Sequence, residues 1–239
     1  MNAAKATSAY TLEDQRLMSG AANYFAWQGR MVTPKLGRRV IEAGCGTGNF
    51  TGMLLDREAV LAVDSEPACV ERLRELYRAH QNVEARVCDV AAPEFLELAR
   101  FRADSCVCIN VLEHVANDEE ALRAMGSVVQ PEGVVVLLTP AFPALYGPID
   151  QRLGHHRRYT RRSLTQTAEA AGLRVESLRY MNWVGFFGWW ANAHILKRQQ
   201  QSEAQIAVFD RAVVPWLSWM EARVAPPFGQ SLLAVLRKP

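Results

Sequence analysis

Short runs rich in β-branched residues alternate with helical stretches from residue 38 to residue 140, and few architectures tolerate that rhythm. Val40-Ile41 opens the first run. Val60 to Val63, Val83 to Cys88 and Ser105 to Asn110 follow, and Gly133 to Thr139 is the most continuously apolar. A strand that is apolar on both faces has to be covered on both sides, which a parallel sheet between two helical layers provides. The connecting stretches suit that role. Glu66 to Ala79 follows Ser65 and carries Pro67 in its first turn, where a missing N–H costs nothing; Asp118 to Val129 starts after Asn117 and stops before Pro131. Strand, helix, strand repeated in this way predicts an α/β, doubly wound, mostly parallel sheet.

Beyond Pro140 the rhythm breaks. Ala141 to Thr160 is irregular and rich in Pro, Gly and aromatic residues. A helix from Arg162 to Ala171, ended by Gly172, leads into a strand over Leu173 to Leu178. An aromatic stretch, Trp183 to Leu196, and an apolar helix over Gln205 to Ala222 come next. The closing run Ser231 to Leu236 reads as an edge or penultimate strand.

Composition excludes several classes. With 49% hydrophobic and 22% charged residues, the chain matches an ordinary soluble globular protein. A net charge of +2 offers no broad footprint for nucleic acid or for an acidic membrane, so any basic site must be local. The five cysteines form no C-x-x-C pair and no Cys/His cluster of zinc spacing, so no metal site is expected. Cys88, Cys106 and Cys108 sit in apolar runs and read as small buried hydrophobes, which suits a reducing cytoplasm. The opening MNAAKATSAYTLEDQR lacks the apolar core of a signal peptide, and no apolar stretch reaches the roughly 18–20 residues of a membrane span. A cytoplasmic location is the expectation.

The most informative local pattern is Arg39-Val-Ile-Glu-Ala-Gly-Cys-Gly-Thr-Gly-Asn49. A strand runs into Glu42-x-Gly44-x-Gly46-x-Gly48, and a helix is expected to follow. Glycines let the backbone turn sharply and let a ligand approach the main chain. The dinucleotide fingerprint Gly-x-Gly-x-x-Gly requires glycine where Asn49 stands, which argues against a nicotinamide-dependent oxidoreductase. Polar residues end the next three strands. Asp64, twenty positions beyond Gly44, suits paired ribose hydroxyls; Asp89 follows the third strand; Asn110-Val-Leu-Glu-His-Val115 follows the fourth. Ligands in doubly wound sheets bind outside these carboxyl ends. Each acid also has a plainer use, Asp64 and Asp89 as helix caps and Glu113 as a solvated side chain.

Alternating glycines preceded by an acid resemble motif I of class I methyltransferases, which use S-adenosylmethionine, and the resemblance runs from about residue 38 to 140. It implies a Rossmann-like, mostly parallel seven-stranded sheet with helical lid insertions. It also implies a single domain over 1–239, with 38–140 as the cofactor-binding core and 1–37 and 141–225 as lid and substrate elements. By that analogy Glu42 sits behind the methionine moiety, Gly44, Cys45, Gly46 and Asn49 approach it, and Asp64 with Ser65 holds the ribose. Asp89 and Val90 flank the adenine, and Asn110 and Leu112 complete the post-strand side. Asn23 to Gln28 resembles the lid helix of this class, with Tyr24 or Trp27 either closing over the cofactor or packing in the core.

Methyl transfer mainly requires alignment of a nucleophile with an activated methyl, and a base only where the acceptor must lose a proton. The segment after the fifth strand carries the candidates. His155 and His156 titrate in the useful range and are the candidate bases, His155 first. Tyr146, Arg157, Arg158 and Tyr159, with Asn182 and Trp183 further on, are the candidate substrate contacts; the arginine pair suits a carboxylate or phosphate but also a solvated basic turn. Gly154-His-His-Arg-Arg-Tyr159 and Pro227-Phe-Gly-Gln-Ser-Leu232 resemble a bacterial subgroup of small-molecule methyltransferases. The aromatic stretch WVGFFGWWANAHIL is a lid, an interfacial surface for a lipid-linked substrate, a dimer contact or plain core.

The expected acceptor is therefore a small or lipid-linked molecule with an apolar body and a polar or anionic group, handled by a monomer or homodimer, with peripheral membrane contact open. Two alternatives remain. A nucleic-acid methyltransferase would usually carry Asn/Asp-Pro-Pro-Tyr/Phe after the fourth strand, where Asn110-Val-Leu-Glu lacks both prolines. A non-catalytic cofactor-binding regulator would share the cofactor site and differ only in turnover.

Overall fold

The computed structural model describes Glu13 and residues 15–239; the leader reading of the first residues lies largely outside them. The predicted strands form at β1 (Arg39–Ala43), β2 (Ala59–Asp64), β3 (Val83–Val87), β4 (Ala103–Ile109) and β5 (Val129–Pro140). Two more follow, β6 (Arg174–Met181) and β7 (Ser231–Arg237). They join in one seven-stranded sheet of order β3-β2-β1-β4-β5-β7-β6. Strands β1 to β5 pair in parallel, and β7 runs antiparallel between β5 and β6. The closing run is thus the penultimate strand, not the edge. The topology is Rossmann-like and mostly parallel.

Side-chain alternation splits the core into two layers. Along β1, Ile41 faces a cluster with Leu61, Phe95, Leu122 and Met125, while Val40 faces one with Trp27, Leu54, Val136 and Leu217. Helices α1 (Ala22–Val32), α2 (Pro67–Leu76) and α3 (Asp118–Val128) cover the sheet. Both α2 and α3 start as their sequence signals dictate: Glu66 accepts from the Ala68 N–H, and Asn117 caps through the Glu120 N–H.

Two local readings are corrected. The helix expected after the glycine loop is only a short 3-10 turn, Thr51–Leu54, because β2 begins at Ala59 and leaves no room for more. The apolar helix near 205–222 runs instead as α7 (Glu203–Val208), a π turn (Phe209–Val213) and α8 (Val214–Glu221). Pro215 cannot donate a backbone hydrogen bond, so the turn before it widens.

After β5 the irregular segment folds into α4 (Pro148–Leu153), and α5 (Arg161–Ala170) leads to β6. The aromatic stretch forms α6 (Trp183–Ala191), extended by a π turn over Asn192–Leu196. Leu137 lies mid-strand in β5, fully buried. Leu137→Ala is expected to lower stability by about 2–5 kcal/mol; urea unfolding should show an earlier midpoint at unchanged slope.

Candidate active site

The carboxyl ends of β1, β2, β4 and the chain after β3 open into one cavity of about 730 Å³. The turn after β1 requires left-handed backbone: φ is +77° at Gly44 and +51° at Gly46. At Gly44 a Cβ would lie 2.2 Å from Val111 Cγ2, so glycine is needed twice over. The N–H groups of Gly44 and Cys45 both donate to the Val63 carbonyl, at 2.8 and 2.9 Å, and hold the turn against β2.

Asp64 ties the two strand ends together. One of its oxygens accepts from the Gly46 N–H at 2.8 Å and the other from the Glu66 N–H at 2.9 Å. Burial raises its carboxyl above the ordinary value, against the pull of those donors. Glu42 is buried beneath the loop, where burial pushes its carboxyl up to about 8, and the Thr51 hydroxyl donates to it at 2.7 Å. Asp89 accepts from the Ala91 N–H and lines the same cavity. Asn110 adopts φ +51° at the tip of β4, a conformation asparagine tolerates.

The opposite wall comes from the segment after β5. Asp150 is fully buried and accepts from Arg158 Nε at 2.8 Å and from the Gly147 N–H at 3.0 Å. His155 Nδ1 lies 2.8 Å from the same carboxylate. Burial alone would raise Asp150, but the contacts from His155 and Arg158 outweigh it and hold the carboxyl below its usual range. An ionised acid at Nδ1 sets that nitrogen as the protonated one and leaves the Nε2 lone pair available. The Arg158 guanidinium also lies 4.8 Å from the Trp189 ring centroid.

Glu113 and His114 adjoin this wall. Both Glu113 oxygens are buried without a hydrogen-bond partner, and burial pushes the carboxyl up to about 7. His114 packs edge-on against His155, with ring centroids 4.6 Å apart, and burial lowers its imidazole to about 3. Donor atoms of Glu113, His114 and His155 lie within 4.8 Å of one another, a set able to move a proton or to ligate a cation.

Every cofactor-binding candidate lines the cavity except Leu112, which is wholly buried in the core. Trp27 is likewise core, whereas Tyr24 lines the cavity. His155, His156 and Arg158 line it as well. The remaining substrate candidates do not. Arg157 turns to Asp118 at 2.7 Å, the Tyr159 hydroxyl donates to Asp118, and the Tyr146 hydroxyl donates to the His155 carbonyl. Asn182 caps α6 through the Gly185 N–H, and the half-buried Trp183 packs against the core. These are packing duties set by tertiary contacts. Arg158 is buried against Asp150, so it is no solvated turn. Of the cysteines, Cys106 and Cys108 are buried, but Cys88 is half-buried and lines the cavity.

Other lining residues were not singled out by the sequence. Gln15 closes over the glycine loop, its side chain accepting from the Thr47 N–H at 2.9 Å. Trp189 lines the wall from α6. Asp150, which organises the wall, lies in a stretch that reads as irregular in the sequence and carried no signal there.

Residues 14–178 match a methyltransferase domain family. The chain belongs to that family. It therefore carries an S-adenosylmethionine-dependent methyltransferase domain. A Mycolicibacterium smegmatis protein named as a probable S-adenosylmethionine-dependent methyltransferase is 30% identical over 179 residues, 71% of this chain and 67% of that one. A ubiquinone biosynthesis O-methyltransferase of Alkalilimnicola ehrlichii is 30% identical over 104 residues, 43% of this chain. That match spans only 42% of the relative's length. Geranyl diphosphate methyltransferase, solved with S-adenosylmethionine, shares the methyltransferase fold with a TM-score of 0.60 at 15% identity, covering 89% of this chain and 84% of that one.

The Glu113 carboxyl has a direct consequence for stability. A carboxyl raised on folding binds its proton more tightly in the native state, so stability is full below the ordinary glutamate range and falls as pH rises through about 7. Glu113→Gln should remove about 2–3 kcal/mol of that decline between pH 5 and pH 8. Denaturant melts of both proteins at the two pH values read the difference.

Proposed function

We propose that this methyltransferase transfers the methyl group of S-adenosylmethionine to a hydroxyl of a small or lipid-linked acceptor with an apolar body and a polar or anionic group, and that the whole chain acts as a single catalytic domain. One observation carries the reading. The glycine turn, Asp64 and Asp89 share a cavity with His155, which a buried carboxylate orients.

The donor set fits the cofactor on its own chemistry. Asp64 retains acceptor capacity after its two backbone bonds and suits a pair of ribose hydroxyls; Asp89 suits an adenine amino group; Glu42 suits the methionine end. Bound there, S-adenosylmethionine supplies a methyl already activated by its sulfonium. The protein's own work is then positioning and proton transfer. Asp150 fixes the His155 ring, and His155 takes the acceptor's hydroxyl proton through its unprotonated nitrogen as the oxygen attacks. Asp150 remains ionised and stabilises the imidazolium that results. Trp189, with Val111 and Val115, gives the wall an apolar surface for the body of the acceptor. The similarity to ubiquinone biosynthesis O-methyltransferases supports oxygen as the accepting atom. We also place the chain in the bacterial subgroup carrying Gly-His-x-Arg-Arg-Tyr, here Gly154 to Tyr159.

Two variants separate the halves of the site. Asp64→Ala should weaken S-adenosylmethionine binding by about 2–3 kcal/mol, roughly 30- to 150-fold, by calorimetry; unchanged affinity would contradict the ribose assignment. His155→Ala should lower kcat about 100-fold or more on a phenolic acceptor while cofactor affinity stays within about twofold. Full turnover in that variant would make His155 a structural residue.

A further inference from the structure

Helix α6 carries no charged residue from Trp183 to Ala191, yet it is only partly covered. A helix apolar on all sides is ordinarily buried in a core or set against lipid. One side of α6 meets that expectation, with Phe186 packed against Phe142 and Phe228 and Trp189 against Arg158. The other side does not. Phe187 is 54% exposed and Trp190 44% exposed, and the π turn adds Ile195 and Leu196, also exposed.

The exposed surface continues onto α8. Trp183 touches Phe187 on one side and Trp216 on the other, with ring centroids 6.4 and 6.3 Å apart. Trp216 and Trp219 are each at least half exposed, one helical turn apart. Among the described residues the neighbours cover these rings only in part, and Phe187, Trp216 and Trp219 each stay at least half exposed. Contiguous apolar surface of this kind on a soluble fold marks a site of association.

Charge decides what the face fits. Between residues 183 and 230 the exposed cations are Lys197, Arg198, Arg211 and Arg223, and the acids are Glu203, Asp210 and Glu221. Asp210 and Glu221 are buried; Asp210 accepts from the Tyr24 N–H and Glu221 from the Trp183 N–H. Glu203 is thus the one acid the surface shows. The Arg223 guanidinium lies 4.0 Å from the Trp219 ring centroid, so a cation and an indole are presented together. Tryptophan and arginine side by side suit the headgroup layer of an anionic bilayer, where rings sit at the boundary and cations meet phosphates. A second copy of the chain suits it less, because a twofold contact would bring the same arginines face to face. No helix among the described residues is long and apolar enough to cross a membrane, so the contact is with the surface.

We propose that the face formed by α6, its π turn and α8 docks on an anionic lipid bilayer. Docking itself stands apart from the methyl-transfer reading; only its purpose, access for an acceptor with an apolar body, rests on that reading. The geometry connects the two. Trp189 lines the cavity and Trp190, its neighbour, belongs to the exposed face, so one helix is both cavity wall and membrane contact.

The test is co-sedimentation of the full chain with vesicles of phosphatidylcholine alone and of phosphatidylcholine mixed with phosphatidylglycerol. Binding is expected to the mixed vesicles, to weaken as salt rises, and to be at least about tenfold weaker with the neutral ones. The triple variant Trp190→Ala, Trp216→Ala, Trp219→Ala should lose roughly tenfold or more of that binding, with cofactor affinity and thermal unfolding unchanged. If that variant folds poorly, Arg211→Glu with Arg223→Glu is the second probe, with the same expected loss. No pelleting of the native chain with either vesicle, or binding unaffected by both variants, overturns the proposal. So does a dimer in sedimentation velocity that the triple variant dissolves, since the face then belongs to a second copy. Cofactor binding measured without vesicles reports separately on the catalytic reading.

Discussion

Arg158 is a guanidinium with almost no access to water, and it can be buried only because Asp150 lies against it as an ionised acid. Breaking such a pair leaves an uncompensated charge in a poor dielectric and typically costs about 3–5 kcal/mol. The same carboxylate accepts from the Gly147 N–H and lies against His155. One side chain therefore closes α4 at its start, fixes the imidazole at its end, and holds the Arg158 guanidinium, which in turn donates to the Ala141 carbonyl just after β5.

Two groups beside this pair are shaped by their burial. His114 is held neutral by burial, and burial also raises the Glu113 carboxyl to about 7, where neither of its oxygens has a hydrogen-bond partner. A fold selected only for stability would have little reason to keep an unsatisfied carboxyl beside two imidazoles. The cost is tolerable because the sheet is well filled: Ile41, Leu61, Leu122 and Leu137 are all fully buried on its central strands and the helix beside them. Stability is drawn from the layers and spent at one end of them.

The strand-tip half of the cavity was legible in the sequence because it is local. Strand period, glycine spacing and acids at the strand ends each occupy a few consecutive residues, so Gly44, Asp64 and Asp89 read as neighbours before any coordinates. The wall opposite was legible only in part. His155 stood out as an imidazole after the fifth strand, but its partner Asp150 lay unmarked in a stretch that reads as irregular, and Arg158 suited an anionic substrate group or a solvated basic turn alike. What separates Arg158 from Arg157 is a tertiary fact: one meets Asp150 and Trp189, the other meets Asp118 on α3. Glu113 was open between site and solvent for the same reason. A single sequence holds no period that reports on such contacts.

The π turn at Phe209–Val213 shows how a local misfit can serve the site. Widening that turn places Asp210 where its carboxylate accepts from the N–H groups of Asn23 and Tyr24, at 3.3 and 2.8 Å. Those donors belong to the first turn of α1, whose amides have no partners within the helix, and a carboxylate there is favoured by both hydrogen bonding and the helix dipole. Tyr24 is thereby held at the cavity from a helix far away in sequence. Pro215, which bars a regular helix through this region, thus helps to fix the N-terminal edge of the cavity from the far end of the chain.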